Sequence, residues 1–265
     1  MNTVDTEVFS YVSHEMKTPL TVILTSVDAL RRMTANENDS GRHGEIINYI
    51  EDNAYRLIKI SNNLLDFEKL FLGEYNPRVQ NCEAVSFVKR IVNGSLIYAA
   101  AYGLKLEFIC DRKSFYTVLD TEILERVLQN LISNAFKYTK EGSVTVTLGC
   151  KEDDCLEIKV ADTGSGIEKE EQNNIFKKYY RGKNAVNADG SGLGLAIVKK
   201  LLMACGGEIK IKSEPGKGSI FTVLIPKAEK SGQLYVKSEI LCEISDINFK
   251  IEYSDLKSVS AQRLF

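Results

Sequence analysis

Histidine is scarce in this chain. Only His14 and His43 occur among 265 residues, so any histidine chemistry belongs to one of them. Long apolar runs are missing as well: the longest mild candidate, Leu96–Tyr102, is cut off by Gly103, far below the roughly 20 residues that cross a bilayer. No charged n-region followed by an apolar core opens the chain, so no signal peptide is expected. Cysteines at metal or redox spacing are absent too. The six thiols, Cys82, Cys110, Cys150, Cys155, Cys205 and Cys242, are scattered without a CxxC pair and are read as reduced, mostly buried side chains. Excess charge of one sign is also lacking: 34 basic against 36 acidic residues leave a net charge of −2. That balance excludes the basic face of a nucleic-acid binder. What remains, 44% apolar and 26% charged residues, is the composition of a globular protein with room for two domains.

The hydrophobic pattern changes character along the chain. From about residue 5 to 33, Phe9, Met16, Leu20, Ile23, Val27 and Leu30 recur at helical steps and form the seam of a bundle. The polar stretch Thr34–Gly44 reads as a turn. A second helix to about Leu70 carries Ile47, Ile50, Ala54, Leu57 and Leu64 on one stripe and Ile46, Ile60 and Phe67 on another. One hairpin cannot bury both stripes, so dimerisation into a four-helix bundle is expected. Phe71–Pro77, with Gly73, breaks the period as a linker. Beyond it, helical stretches (83–102, 121–139, 192–205) alternate with strand-like runs at Lys105–Cys110, Ser143–Cys150, Leu156–Ala161, Glu208–Ser213 and Ser219–Ile225. This predicts an α/β sandwich with two hairpins. After Pro226, the alternation of Ile240, Cys242 and Ile244, then Ile247, Phe249, Ile251 and Tyr253, has strand periodicity but no legible function.

Four motifs carry chemistry. In "SHEMKTPL", His14 lies two residues from the seam residue Met16, about 200° around the helix, and so points away from the core. Pro19 removes a hydrogen bond to the carbonyl of Glu15; the alternative is a surface histidine on a kinked helix. In "NLISNAFKYT", Asn130, Asn134 and Lys137 recur on one helix face, suiting a Mg²⁺–triphosphate or merely a solvated surface. In "DTGSGI", Asp162 ends a strand before two glycines. Its carboxylate suits an exocyclic amine such as adenine N6; a calcium loop and a plain turn are the other readings. "GSGLGLAI", Gly190–Ile197, opens a helix and leaves N–H groups for an anion. It follows a polar loop rather than a strand, and no Gly-Lys-Ser/Thr follows it, so it is neither a dinucleotide fingerprint nor a Walker loop.

These motifs, with "IFKKYYRG" (Ile175–Gly182) and "GKGSIFTVLIP", stand in an order and spacing that resembles the bacterial two-component sensor histidine kinases from about Glu7 to Pro226. The resemblance implies a dimerisation and histidine phosphotransfer domain (1–72), an ATP-binding domain of Bergerat type (73–226), and an extension (227–265) outside the likeness. It implies His14 as the phosphorylated histidine, Glu15 as the acid that orients and helps deprotonate it, and Thr18 as the residue that positions water for dephosphorylating the partner. It implies Asn134 and Asn130 as Mg²⁺ ligands, Lys137 and Tyr138 as nucleotide contacts, and Asp162 as the adenine reader, with Gly164 and Gly166 lining its pocket. Arg181 matches a basic residue reaching the γ-phosphate. Gly190, Gly192 and Gly194 match the far hinge of a lid, and Thr222 resembles a threonine that supports the adenine site through water.

The implied cofactors are ATP and Mg²⁺, and the implied partners are a second copy and a response regulator receiver domain. Membrane contact is expected only through a sensor segment absent from this chain, which then resembles the cytoplasmic core of a membrane-bound sensor truncated at its N-terminus. Met16-Lys17 replaces the commoner leucine-arginine pair, and Tyr179 with Tyr180 fills an aromatic slot; neither removes a charged or metal-binding group. A same-fold ATPase doing conformational work and a non-catalytic scaffold are the rival readings. The exposed His14-Glu15 pair argues against the first. The intact Asn134, Lys137, Asp162 and Arg181 argue against the second.

Overall fold

The computed structural model describes residues 16–30, 40–71, 76–151, 155–180, 182 and 192–228. His14, Glu15, Arg181, Gly190 and the alternating pattern from Ile240 to Tyr253 lie outside these residues. The chain divides into two compact units between Asp66 and Phe67, and each is described by itself.

The described part of the first unit is helical. Helix α1 covers residues 16–30 and α2 runs over Ser40–Phe71. The polar segment expected to be a turn as far as Gly44 is helical from Ser40. Gly44 therefore sits inside the helix, where glycine costs about 1 kcal/mol relative to alanine. Polar composition there marks a solvated helix rather than a break. Among the described side chains of α1 and α2, only Pro19 is buried. Met16, Leu20 and Leu24 of α1, and Ile47, Tyr49 and Ile58 of α2, are exposed apolar groups. Of the expected stripes, Met16, Leu20 and Ile47 are exposed, and the other described members, Ile23, Val27 and Leu57 among them, are only half-buried in a single copy.

The second unit is an α/β sandwich. Its strands are β1 (Val79–Glu83), β2 (Lys105–Cys110), β3 (Tyr116–Asp120), β4 (Ser143–Lys151), β5 (Cys155–Asp162), β6 (Glu208–Glu214) and β7 (Gly218–Ile225). Its helices are α3 (Ala84–Ala101), α4 (Thr121–Tyr138) and α5 (Gly194–Ala204). Five strands form a mixed sheet in the order β2-β4-β5-β7-β6, and β1 pairs with β3 in a separate ribbon. Both expected hairpins, β4–β5 and β6–β7, are antiparallel, while β2 joins β4 in parallel. The ribbon strands β1 and β3 were not legible as strands. They are short, and β1, "VQNCE", lacks an alternating apolar pattern. Ala228, just after β7, donates its N–H to Val118 O at 2.9 Å, so the returning chain meets β3.

Alternation decides which sheet face is covered. Val146 lies opposite Val160, which lies opposite Phe221, and all three are buried. Helices α3, α4 and α5 pack on this side, where α4 contributes Ile123, Leu124, Val127, Leu128, Leu131, Ile132 and Phe136. Burying such side chains stabilises the fold by roughly 1.5–3 kcal/mol each. The other face carries charged pairs along single strands, Lys159–Glu157 at 2.7 Å and Lys210–Glu208 at 2.6 Å. Of the five described cysteines only Cys82 is buried; Cys110, Cys150, Cys155 and Cys205 are half-buried, and all five are free thiols. Burial pushes the Cys82 thiol up to about 11.

Candidate nucleotide site

Helix α4 begins where β3 ends. Asp120 caps it, its Oδ1 accepting from the N–H groups of Glu122 and Ile123 at 2.9 and 3.1 Å. A side-chain oxygen satisfying two orphan donors fixes where the helix starts. The cap therefore fixes which face the polar residues present. With Val127, Leu128, Leu131 and Ile132 buried, Asn130, Asn134 and Lys137 are half-exposed together. Asn134 Nδ2 donates to Asn130 Oδ1 at 3.2 Å. That bond turns the Asn134 amide so that its oxygen points elsewhere, with no hydrogen bond among the described residues. An uncommitted amide oxygen is a fitting ligand for a hard cation.

The turn after β5 carries the acid. Asp162 Oδ1 accepts from Gly164 N at 2.9 Å and from Ser219 N at 3.2 Å. Oδ2 has no hydrogen bond among the described residues and is the acceptor left for a ligand. Burial raises the Asp162 pKa above its ordinary value, and the two backbone donors oppose that shift. Gly164 presses against the carbonyl of Tyr138, so a side chain there would collide with the end of α4. Ser165 N donates to the same carbonyl at 3.1 Å. Tyr138 thus anchors the turn through its backbone, while its ring is exposed. Gly166 has φ +66° and abuts Glu214 O, a conformation and an approach that only glycine accommodates.

A second glycine segment reaches α4 from the other side. A Cβ on Gly194 would stand 2.6 Å from Asn130 Nδ2, so the start of α5 lies directly against the asparagine pair. Leu193, at the N-cap, provides no side-chain cap bond, so among the described residues no side chain caps the first N–H groups of α5. A Cβ on Gly192 would stand 2.9 Å from Tyr179 Cα, so this glycine packs closely on the Tyr179 backbone. Tyr180 donates its hydroxyl proton to Glu171 Oε1 at 3.0 Å.

Of the residues singled out from the sequence, the structure brings Asn130, Asn134, Lys137, Tyr138, Gly164 and Gly194 together on or against α4, with Asp162 joined to them through Gly164 and Gly166 seated against Glu214 instead. It does not bring Thr222 there. Thr222 pairs with Lys159 on one side and Lys210 on the other, on the charged outer face. Directly paired residues share a face, and side chains alternate along a strand. Three positions from Ser219, Thr222 therefore faces away from Asp162. The residue that belongs there is Ser219, which is buried, stands opposite Asp162 in register, and donates its N–H to it. Its signal in the sequence was its place directly after the second glycine of "GKGS". Thr18 is exposed on α1 of the first unit, beside a shallow groove of about 420 Å³ lined by Lys17, Thr18, Thr21, Val22 and Thr25.

Comparison with known proteins agrees with this geometry. Residues 5–70 match the His Kinase A (phospho-acceptor) domain, and residues 119–229 match the histidine kinase-, DNA gyrase B-, and HSP90-like ATPase family. The aerobic respiration control sensor protein ArcB of Escherichia coli (strain K12) is 34% identical over 224 residues, 83% of this chain and 28% of that protein. The sensor histidine kinase WalK of Bacillus subtilis (strain 168) is 31% identical over 228 residues, 84% of this chain and 37% of that one. This chain thus spans roughly a quarter to a third of these relatives' own length. Among solved structures, full-length ShkA in complex with AMPPNP is similar with a TM-score of 0.63 and 25% identity, over 85% of this chain and 47% of that chain. The Acinetobacter baumannii histidine kinase AdeS shares the fold, with a TM-score of 0.61 at 21% identity over 82% and 98% of the two chains. With a phospho-acceptor domain preceding an ATPase domain of this type, the chain belongs to the two-component sensor histidine kinases, which are ATP-dependent protein-histidine kinases.

Proposed function

We propose that this chain is a histidine kinase core that moves the γ-phosphoryl group of ATP onto His14 and then onto an aspartate of a response regulator receiver domain. The observation that carries the reading is the convergence on α4: an acid with one open oxygen, an asparagine pair, and an uncapped helix start. Asp162 accepts the adenine N6 proton, and Tyr138 O holds the turn that presents it. The N-terminus of α5 and Lys137 face the triphosphate. Asn134, with Asn130 beside it, would hold Mg²⁺, which when bound supplies charge neutralisation on the phosphates.

His14 attacks through one imidazole nitrogen while Glu15 accepts a hydrogen bond from the other, so the attacking lone pair is kept free. The nitrogen–phosphorus bond forms as the bond from the β–γ bridging oxygen to the γ-phosphorus breaks, and ADP leaves. In this reading Arg181 reaches the γ-phosphate, and Gly190, Gly192 and Gly194 form the far hinge of a lid. Residues 1–72 form the dimerisation and phosphotransfer domain, 73–226 the ATP-binding domain, and 227–265 an extension. The exposed apolar groups of α1 and α2 support a homodimer. No described helix is long and apolar enough to cross a membrane, so membrane attachment would come from a sensor segment outside this chain.

Incubation with γ-labelled ATP and Mg²⁺ tests the reading. Acid-labile label is expected on the wild-type chain and none on His14→Gln, with nucleotide affinity unchanged. Label persisting on that variant would place the phosphoacceptor elsewhere, and His43 would be the next histidine to examine.

A further inference from the structure

Beneath the Asp162 turn, Ser219 of the "GKGS" motif is paired with Ser213, a hydroxyl outside the motifs quoted above. Ser213, on β6, stands opposite Ser219, on β7. Its Oγ accepts from Ile167 N at 2.8 Å, donates to Gly218 O at 2.9 Å, and lies 2.9 Å from Ser219 Oγ. Gln172 Nε2 bridges the same two segments, donating to Ile167 O at 3.0 Å and to Ser213 O at 2.9 Å. The turn that follows Asp162 is therefore tied to β6 through Ser213.

Counting protons decides how the pair is oriented. A hydroxyl has one proton and two acceptor positions. The Ser213 proton goes to the Gly218 carbonyl, which can only accept, and one Ser213 lone pair takes the Ile167 N–H. The remaining contact, with Ser219, is then made by the Ser219 proton. Ser219 is left with lone pairs alone, on the sheet face and at the register position it shares with Asp162. Beside it, the ionised carboxylate of Asp162 is likewise an acceptor.

We propose that Ser213 is a specificity-determining positioning residue. By holding the Ser219 proton it makes the base-reading end of the pocket acceptor-only, which admits a purine with an amine at position 6 and rejects one with a carbonyl there. The inference rests on the adenine reading of Asp162 given above. Losing the Ser213 hydroxyl frees the Ser219 proton to rotate and donate to a carbonyl oxygen. Inosine triphosphate is the cleanest probe, because it replaces the 6-amine of ATP with a carbonyl and leaves the ribose and triphosphate unchanged.

The experiment is calorimetric titration of the full chain with ATP and with inosine triphosphate, in Mg²⁺, for wild type, Ser213→Ala, Ser213→Thr and Asp162→Asn. The ATP preference of wild type is expected to narrow by about fivefold to tenfold in Ser213→Ala, the range of one hydrogen bond changing sense, and to be kept in Ser213→Thr. A general loosening of the turn would instead weaken both nucleotides alike. An unchanged or widened ratio in Ser213→Ala, or a wild type indifferent to the change of base, overturns the inference. Where Ser213→Ala does not fold, Ser213→Cys, near-isosteric and a weak hydrogen-bonding group, takes its place in the same comparison. Asp162→Asn separates the two failures. If it weakens ATP while the Ser213 ratio stays fixed, only the Ser213 inference falls. If it leaves ATP affinity intact, the adenine reading falls and the inference with it.

Discussion

Asp162 shows how a single residue is tuned. It is held by two backbone donors on one oxygen, and its burial still raises its pKa. The charged form is the one that accepts from an amine. Asp162→Asn is expected to weaken ATP binding by about 2 kcal/mol, because a charge-assisted acceptor is exchanged for a group that presents a donor. Calorimetry at wild-type affinity would refute that. The pH dependence has two signs. A carboxyl whose folded pKa lies above its unfolded value binds protons more readily when folded, so its contribution to stability improves as pH falls through the raised pKa. ATP affinity moves the other way over the same interval, since the protonated acid becomes a donor. Thermal melts and titrations across the acid range are expected to diverge; a parallel decline would mean that Asp162 does not touch the base.

At the scale of elements, α4 organises the ATP-binding unit. Its buried stripe seats it on the sheet, its Asp120 cap sets its register, and its polar face meets the turn after β5 at one end and the start of α5 in the middle. Among the described residues nothing comparable fixes α1 in a single copy, where Met16, Leu20 and Leu24 are exposed. The helical reading of the sequence puts Thr18, four residues after His14, on the same helix side as the histidine. Thr18 lies beside the groove it shares with Lys17, Thr21, Val22 and Thr25. We propose that this hydroxyl holds a water against the phosphorylated aspartate of a docked regulator. Thr18→Ala is expected to keep most autophosphorylation and to lose most phosphatase activity towards the regulator. Both rates are measured on one preparation with helicity checked by circular dichroism. Equal loss of the two would make Thr18 a support for the helix near Pro19, where hydroxyls often bond backbone carbonyls.

The two units of the molecule meet the solvent differently. The second has its own core, with Phe136, Leu128, Ile158 and Leu202 fully buried. The first leaves Leu24 58% exposed and Leu20 48% exposed, too much apolar surface on one helix for a stable solitary hairpin. Leu20→Glu, in the expected seam, is therefore expected to shift the chain towards monomer in sedimentation experiments while leaving ATP affinity as in wild type. A charge on an exposed position costs the isolated unit little, whereas in a bundle seam it is buried without a partner. A variant that stays dimeric would place the seam on another stripe.

Sequence alone was enough to single out the candidate residues, because each motif is local. The Asn130–Asn134–Lys137 face follows from helical spacing, Asp162 from the strand end and glycine turn around it, and the five strands of the main sheet announce themselves by alternation. Elements without a hydrophobic period were not legible: the start of α2 at Ser40, hidden in a polar run, and the ribbon strands β1 and β3, whose pairing joins residues far apart in the chain. The site was misread at one position for the same reason. Thr222 and Ser219 lie three residues apart in one strand, and both are hydroxyl residues near a glycine turn. Only the register with β5 decides which of them faces Asp162, and register belongs to the pairing of strands, not to either strand. The Ser213–Ser219 proton arrangement is a further step removed, since it depends on which carbonyl and which N–H the fold brings to one hydroxyl.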